Sequence, residues 1–95
     1  MLFVSLLKRR AGAAPVSPAE TIARRAAWQY PEGVRPVAEY WLQTCDPEVI
    51  AVFEADSVAP VMATTMAWAD LFDITVVPAI TAEEGLRLAQ QMGGR

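Results

Sequence analysis

Glu39 and Glu54 are the side chains of this sequence best suited to proton transfer, because each interrupts a stretch that is otherwise rich in apolar residues. A carboxylate that faces an apolar cavity loses hydration, and this raises its pKa towards neutrality. A carboxyl group with such a pKa can act as a general acid or base. We therefore predict Glu39 and Glu54 as catalytic residues. The alternative is that both lie at the rim of an interface and only form hydrogen bonds there.

Six further residues are predicted to bind a ligand beside these glutamates. They are the hydrogen-bonding residues Ser5, Tyr40 and Thr75, the aromatic residues Phe3 and Trp41, and the cation Arg35. Arg35 either anchors an anionic group or forms a salt bridge with Glu39. If Glu54 is structural, we expect Arg35 or Ser5 to be its partner. Trp41 fits equally well in the wall of a pocket and in a seam between two copies of the chain.

Several kinds of site are excluded by residue counts. The sequence has no histidine and one cysteine, Cys45, so we predict no transition metal, no haem and no other cofactor. A Mg²⁺ ion held by Glu39, Glu54 and Asp73, which are predicted to share a sheet face, is the remaining possibility. A net charge of −3 gives no electrostatic footprint for nucleic acid.

The length of 95 residues, with 54% hydrophobic and 20% charged residues, predicts one domain over residues 1–95. No run of eighteen apolar residues occurs, so no membrane span is expected. The basic residues Lys8, Arg9 and Arg10 follow the first apolar run, which is the reverse of a signal peptide. The chain is therefore expected to be cytoplasmic.

Local signals divide the chain into four strands and three helices. We predict strands over residues 1–7, 34–42, 49–55 and 72–77. Ser17-Pro18-Ala19-Glu20 and Thr81-Ala82-Glu83-Glu84 are predicted capping boxes that begin the first and third helices, and Asp56 and Ser57 offer caps for the second. In the first helix, the inward stripe is predicted to be Ala19, Ile22, Ala23 and Ala26, with Arg24 and Arg25 outside. Pro36 places the second strand at a sheet edge, because proline cannot donate to a neighbouring strand.

The order βαββαβ predicts an α+β, ferredoxin-like fold with a four-stranded antiparallel sheet in the order 4-1-3-2. The core spans residues 1–78, and the helix over 81–92 is an addition. Alternation along the strands predicts that one set of apolar residues faces the helices: Leu2, Val4, Leu6, Ala38, Tyr40, Leu42, Ala51, Phe53, Ala55, Phe72, Ile74 and Val76. The opposite face would still carry apolar residues: Phe3, Leu7, Val37, Trp41, Ile50, Val52 and Val77.

Such an apolar face is unsuited to water. We therefore predict a homodimer in which the open faces of two sheets meet. The polar residues of these faces would line a cavity between the sheets, where a ligand would bind.

Four segments resemble a family of small bacterial proteins of unknown function. They are Met1–Val4, Pro31–Arg35, Val52–Asp56 and Trp68–Pro78. That family resembles the dimeric α+β barrel group, which includes antibiotic-biosynthesis monooxygenases, polyketide cyclases and muconolactone-isomerase-like proteins. The resemblance covers residues 1–78, and it implies the ferredoxin-like fold and the homodimer.

The expected function follows from these features together. We expect a hydrophobic or aromatic metabolite to bind in the cavity at the open sheet face. The resemblance implies that the protein is a cofactor-independent monooxygenase, cyclase or isomerase of secondary metabolism. The alternative is a non-catalytic dimeric module that binds a ligand or another protein.

Overall fold

A computed structural model describes residues 1–93, which form four strands and three helices. The elements are β1 (Leu2–Arg9), α1 (Pro18–Ala27), β2 (Val34–Trp41), β3 (Val49–Ala55), α2 (Val58–Trp68), β4 (Phe72–Ala79) and α3 (Ala82–Gly93). All neighbouring strands are antiparallel, and the sheet order is β2-β3-β1-β4. The predicted ferredoxin-like α+β fold and the edge position of the second strand are confirmed.

The helix starts follow the local signals. The Ser17 hydroxyl accepts a hydrogen bond from the Glu20 amide at 3.1 Å, and the Glu20 carboxylate accepts one from the Ser17 amide. The Thr81 hydroxyl caps α3 by accepting a hydrogen bond from the Glu84 amide at 3.1 Å. β4 continues through Pro78 to Ala79, beyond its predicted end, because an edge strand tolerates proline. None of the described helices is both long and apolar enough to cross a membrane.

The central strand β1 is turned over relative to the prediction. Phe3 pairs with Phe53, and Ser5 pairs with Ala51, so Phe3 and Ser5 lie on the helix side of the sheet with these two partners. Leu2, Val4 and Leu6 consequently lie on the open side. The prediction failed because both faces of β1 are apolar and Ser5, as a polar residue, favoured the wrong one.

A β-bulge turns over the second half of β2. Pro36 pairs with Phe53 and Ala38 pairs with Val52, which leaves Val37 as an extra residue. After the bulge, Glu39 pairs with Ala51, so Glu39 lies on the helix side, together with Trp41. The prediction that Ala38 and Tyr40 face the helices is therefore wrong.

The core of residues 1–93 consists of two apolar clusters on the helix side of the sheet. The first cluster contains Phe3, Val34, Ala51, Phe53, Ala55 and Val61. The second contains Trp68, Leu71 and Phe72, with Leu7, Trp28, Ala67 and Ile74 packed against it. Within the described helices, α1 and α3 have no buried residue. Helix α1 is thus positioned by something other than apolar packing.

Candidate functional site

A cavity of about 430 Å³ lies between the sheet and the helices α1 and α2, with the core clusters on its two sides. Its floor is the cross-strand pair Ser5 and Ala51, whose side chains are too small to fill the space. Larger residues stand on both sides of this pair on the same strands. The cavity is therefore a direct result of two small residues at the middle of the sheet.

The walls of the cavity are mainly aromatic and apolar. Trp28 meets Trp68 edge to face, with ring centroids 5.8 Å apart, and Trp28 also contacts Tyr30 at 4.8 Å. The remaining apolar lining residues are Leu7, Ile22, Trp41, Leu42, Val49, Phe53, Phe72 and Ile74. Such walls favour a flat apolar ligand, because aromatic rings pack well against one another in stacked and edge-to-face arrangements.

Glu39 is the centre of a hydrogen-bonded cluster at the rim of this cavity. Arg25 on α1 donates from Nε to Oε2 at 3.0 Å and from its terminal nitrogen to Oε1 at 2.8 Å. Tyr30 donates its hydroxyl to Oε1 at 2.9 Å, and the Trp41 indole donates to Oε2 at 2.8 Å. Both carboxylate oxygens of Glu39 are therefore occupied by donors from this chain.

The protonation states in this cluster follow from those contacts. Burial raises the pKa of Glu39, but the hydrogen bonds from Arg25, Trp41 and Tyr30 outweigh it, so its pKa lies below the ordinary value. Burial, together with the hydrogen bond to Glu39, raises the pKa of Tyr30 to about 12. At neutral pH the cluster thus holds an ionised Glu39 and a neutral Tyr30. The expected raised pKa of Glu39 is wrong, because the donors that surround it are Arg25, Tyr30 and Trp41, none of which the prediction assigned to it.

A second charged pair closes another part of the rim. Arg9 donates to Glu48 at 2.8 Å, and its guanidinium lies 4.8 Å from the centre of the Phe72 ring.

Three threonines of the lining, Thr21, Thr64 and Thr65, donate their hydroxyl protons to helix carbonyl groups. Ser5, which is 4% exposed, differs from them because it lies on a strand, without a helix carbonyl one turn away. Its hydroxyl is the one suited to donate to a ligand.

The predicted site residues divide between the two sides of the sheet. Ser5, Glu39 and Trp41 line the cavity, and Phe3 lies in the adjacent core, with its ring 6.0 Å from that of Phe53. The others lie on the open side, as the pairing of Arg35 with Glu54, Tyr40 with Ile50 and Thr75 with Leu6 shows. The prediction that Phe3, Ser5, Glu39 and Trp41 share the open face with the other site residues is therefore wrong, and Tyr40, predicted on the helix side, lies on the open side.

The ion pairs of the open side also differ from the expected ones. Glu54 contacts the amino group of Met1 at 3.3 Å, and Arg35 contacts Asp56 at 3.4 Å. Arg35 is thus paired neither with Glu39 nor with Glu54. Glu39 lies on the opposite side of the sheet from Glu54 and Asp73, so the three carboxylates do not form the Mg²⁺ site considered above. Within residues 1–93, no group of three or more potential ligands is arranged to hold a metal ion.

Sequence reasoning placed Ile22 on the inward side of α1, where it lines the cavity, but missed the other cavity residues of this segment. Thr21, Arg25 and Trp28 have the spacing of one helix face, and each is less exposed than the alanines of the predicted inward stripe. The prediction that Arg25 lies outside is wrong, because its partner Glu39 lies on the helix side of the sheet. The useful signal was the joint spacing of an arginine and a tryptophan, which a search for apolar residues alone overlooks.

The chain belongs to the family described as "Domain of unknown function (DUF3303)", which residues 1–93 match. No curated protein and no solved structure matches the chain. The expected membership of a family of unknown function is confirmed. The relation to monooxygenases and cyclases stays a prediction.

Proposed function

We propose that this DUF3303 protein binds a planar aromatic metabolite in the cavity between the sheet and the helices α1 and α2. The observation that carries the proposal is the 430 Å³ space with aromatic walls and the Ser5 hydroxyl at its floor. Its volume falls in the range of small-molecule sites, roughly 300–1,000 Å³. The proposal thus puts the ligand on the helix side of the sheet, opposite to the open side expected from the sequence.

Binding, and not proton transfer, is the role that this chemistry favours. Glu39 is ionised and already accepts hydrogen bonds from Arg25, Tyr30 and Trp41. A carboxylate with several donors is a weak base, so Glu39 is better suited to fix the rim than to abstract a proton. The preferred ligand carries a hydrogen-bond acceptor at its buried end, where Ser5 can donate.

A pair of tricyclic probes tests this proposal. 9-Fluorenone is flat and carries a carbonyl acceptor, whereas fluorene has the same rings without it. Binding of each can be followed by quenching of tryptophan fluorescence, since Trp28, Trp41 and Trp68 all line the cavity. We expect saturable binding, tighter for fluorenone. Ser5→Ala should reduce this preference by roughly 2- to 10-fold, the effect of one neutral hydrogen bond.

A cavity-filling variant supplies the structural control. Thr65 faces the cavity from α2, whereas Ala63 is exposed on the same helix. Thr65→Phe should weaken fluorenone binding at least tenfold, and Ala63→Phe should leave it unchanged. Thermal melts establish that both variants fold, and Thr64→Phe replaces Thr65→Phe if the latter does not. Equal binding by the two variants, or no saturable binding of either probe, would overturn the proposal.

We also propose that the protein is a homodimer formed through the open side of the sheet. The apolar residues of that side are Leu2, Val4, Leu6, Ile50, Val52 and Val77. They differ in part from the set expected from the sequence, because β1 and the end of β2 are turned over. The reason for pairing is unchanged: a side this apolar is unsuited to water.

A further inference from the structure

Helix α3 presents two leucine side chains that are half or more exposed in the described chain. Leu86 is 65% exposed and Leu88 is 50% exposed, and all residues of α3 are unburied. At helical spacing, Leu86 and Leu88 lie about 160° apart and bound the half of the helix that carries Gly85 and Ala89, whereas the charged and amide side chains lie on the other half. A helix of 12 residues is marginal in water by itself. Helix α3 therefore requires a surface on which to pack.

The dimensions of the chain indicate that its accessible surface is larger than that expected for a compact monomer of this length. Its radius of gyration is 15.8 Å and its longest extent is 56 Å, whereas a domain of this length is expected to have a radius near 12 Å. Its accessible surface is 6600 Å², against roughly 5,400 Å² for a folded monomer of this mass. The excess of about 1,200 Å² is comparable with what one partner contributes to a stable interface, about 800 Å² or more.

A short connection and an N-cap fix where α3 begins after the sheet. Ile80 and Thr81 connect it to the end of the edge strand β4, and Thr81 accepts a hydrogen bond from the Glu84 amide. The open side of the sheet leaves apolar residues exposed on its two edge strands: Tyr40 on β2 is 58% exposed, and Val77 on β4 is 41% exposed. The same chain thus carries exposed leucines on a helix and exposed apolar residues at a sheet margin.

We propose that α3 is an exchanged arm, whose apolar half, bounded by Leu86 and Leu88, packs on a second copy of the chain at the margin of its open sheet side. The exchange is reciprocal, so two arms and two sheet margins are covered in one symmetric dimer. The occupant is a second copy because the missing area is that of a dimer interface and both uncovered surfaces belong to this chain. The inference rests on the proposed dimer and adds to it the role of α3.

Charge substitutions on the two sides of α3 test the arm. Leu86→Glu and Leu88→Glu place a charge in the contact, whereas Gln90→Glu and Gln91→Glu place the same charge on the polar side of the same helix. Sedimentation of the full chain at micromolar concentration should give a dimer for the wild type and the Gln variants. The dissociation constant of the Leu variants should rise at least tenfold. A monomeric wild type, or Leu variants that dimerise like the wild type, would overturn the proposal.

Cross-linking between two differently substituted chains locates the contact. In a Cys45→Ser background, one chain carries Leu88→Cys and the other carries Tyr40→Cys, and a short bifunctional thiol reagent is added to the mixture. Cross-links between the two chains are expected, and cross-links confined to like chains would place α3 elsewhere and overturn the proposal. Fluorenone binding measured on the Leu variants keeps the two proposals separate, since the cavity does not contain α3.

Discussion

Arg25 on α1 and Glu39 on β2 form a bidentate ion pair across the cavity rim, with hydrogen bonds of 3.0 and 2.8 Å. The guanidinium also lies 5.5 Å from the centres of the Trp28 and Tyr30 rings. No described residue of α1 is buried, whereas α2 has buried apolar residues. The ion pair therefore holds α1 against the sheet, as apolar packing holds α2. A polar contact thereby sets the distance between the helix and the sheet, and with it the width of the cavity.

Glu39→Gln should lower the free energy of unfolding by about 1–2 kcal/mol, because it removes the charge from a partly buried pair with several hydrogen bonds. Glu39 is 20% exposed and Arg25 is 30% exposed, so solvent screens the pair only in part. Urea denaturation measures the change. The matched control is Asp56→Asn, which breaks the exposed pair with Arg35 and should change stability by less than about 0.5 kcal/mol. Equal effects of the two variants would contradict the assigned role of Glu39.

The stability that Glu39 contributes should disappear in acid. Its pKa in the folded state lies below the ordinary 4.5, because the donors around it outweigh the effect of burial. A lowered pKa stabilises the folded state above the unfolded-state pKa, and this contribution is lost as the pH falls through the folded-state value. The stability difference between wild type and Glu39→Gln should thus be constant near neutrality and shrink below about pH 4.5. Urea denaturation across this range checks the trend, and a difference that grows in acid would refute it.

Tyr30 should titrate late and link stability to alkaline pH. The sequence contains two tyrosines, so Tyr40→Phe leaves Tyr30 as the sole phenol. In that variant the ultraviolet absorbance of tyrosinate should rise with a midpoint near pH 12, because burial and Glu39 disfavour the phenolate. A raised pKa gives stability that is complete below pH 10 and is lost as the pH rises from 10 to 12. Tyr30→Phe should remove this loss, and a midpoint near 10 in the folded protein would contradict the cluster.

Arg24→Ala should loosen α1 without unfolding the protein. Arg24 donates to Asp70 at 2.9 Å and to the Ala67 carbonyl at 2.8 Å, which ties α1 to the end of α2. The pair is largely exposed, so the stability change should stay below about 1 kcal/mol. Amide hydrogen exchange over Pro18–Ala27 should nevertheless become faster. Arg87→Ala on α3 is the control, and unchanged exchange in α1 relative to it would show that Arg24 is not an anchor.

The order of elements and strands was predictable because it depends on local signals. A capping box at Ser17 and a hydroxyl cap at Thr81 begin two helices, and Pro36 excludes β2 from the middle of the sheet. The residues of β3 and β4 that face the helices were also predictable. In β3, for example, Ala51 and Phe53 differ clearly from Glu54 in polarity.

The site itself was not predictable, because it depends on features without a local signal. β1 has apolar residues on both faces, so alternation cannot orient it. The polarity of Ser5 then favoured the wrong orientation of β1, because Ser5 lies at the floor of a cavity and not on the open side. Arg25 was assigned to solvent by its charge alone, whereas the structure gives it a carboxylate partner on the sheet. Residues that face a cavity can thus have the composition of a surface.

The extra residue of β2, Val37, has a consequence for insertions and deletions in this strand. If Val37 is left out, regular alternation from Pro36 puts Ala38 on the open side of the sheet and Glu39 on the helix side. The structure has both residues on these sides. Deletion of Val37 would therefore turn β2 into a regular strand without a bulge. Glu39 would still face Arg25. Loss of a residue anywhere between Ala38 and Trp41 would instead put part of the strand out of phase. Length variation in this strand should thus be tolerated at Val37 and rejected just beyond it.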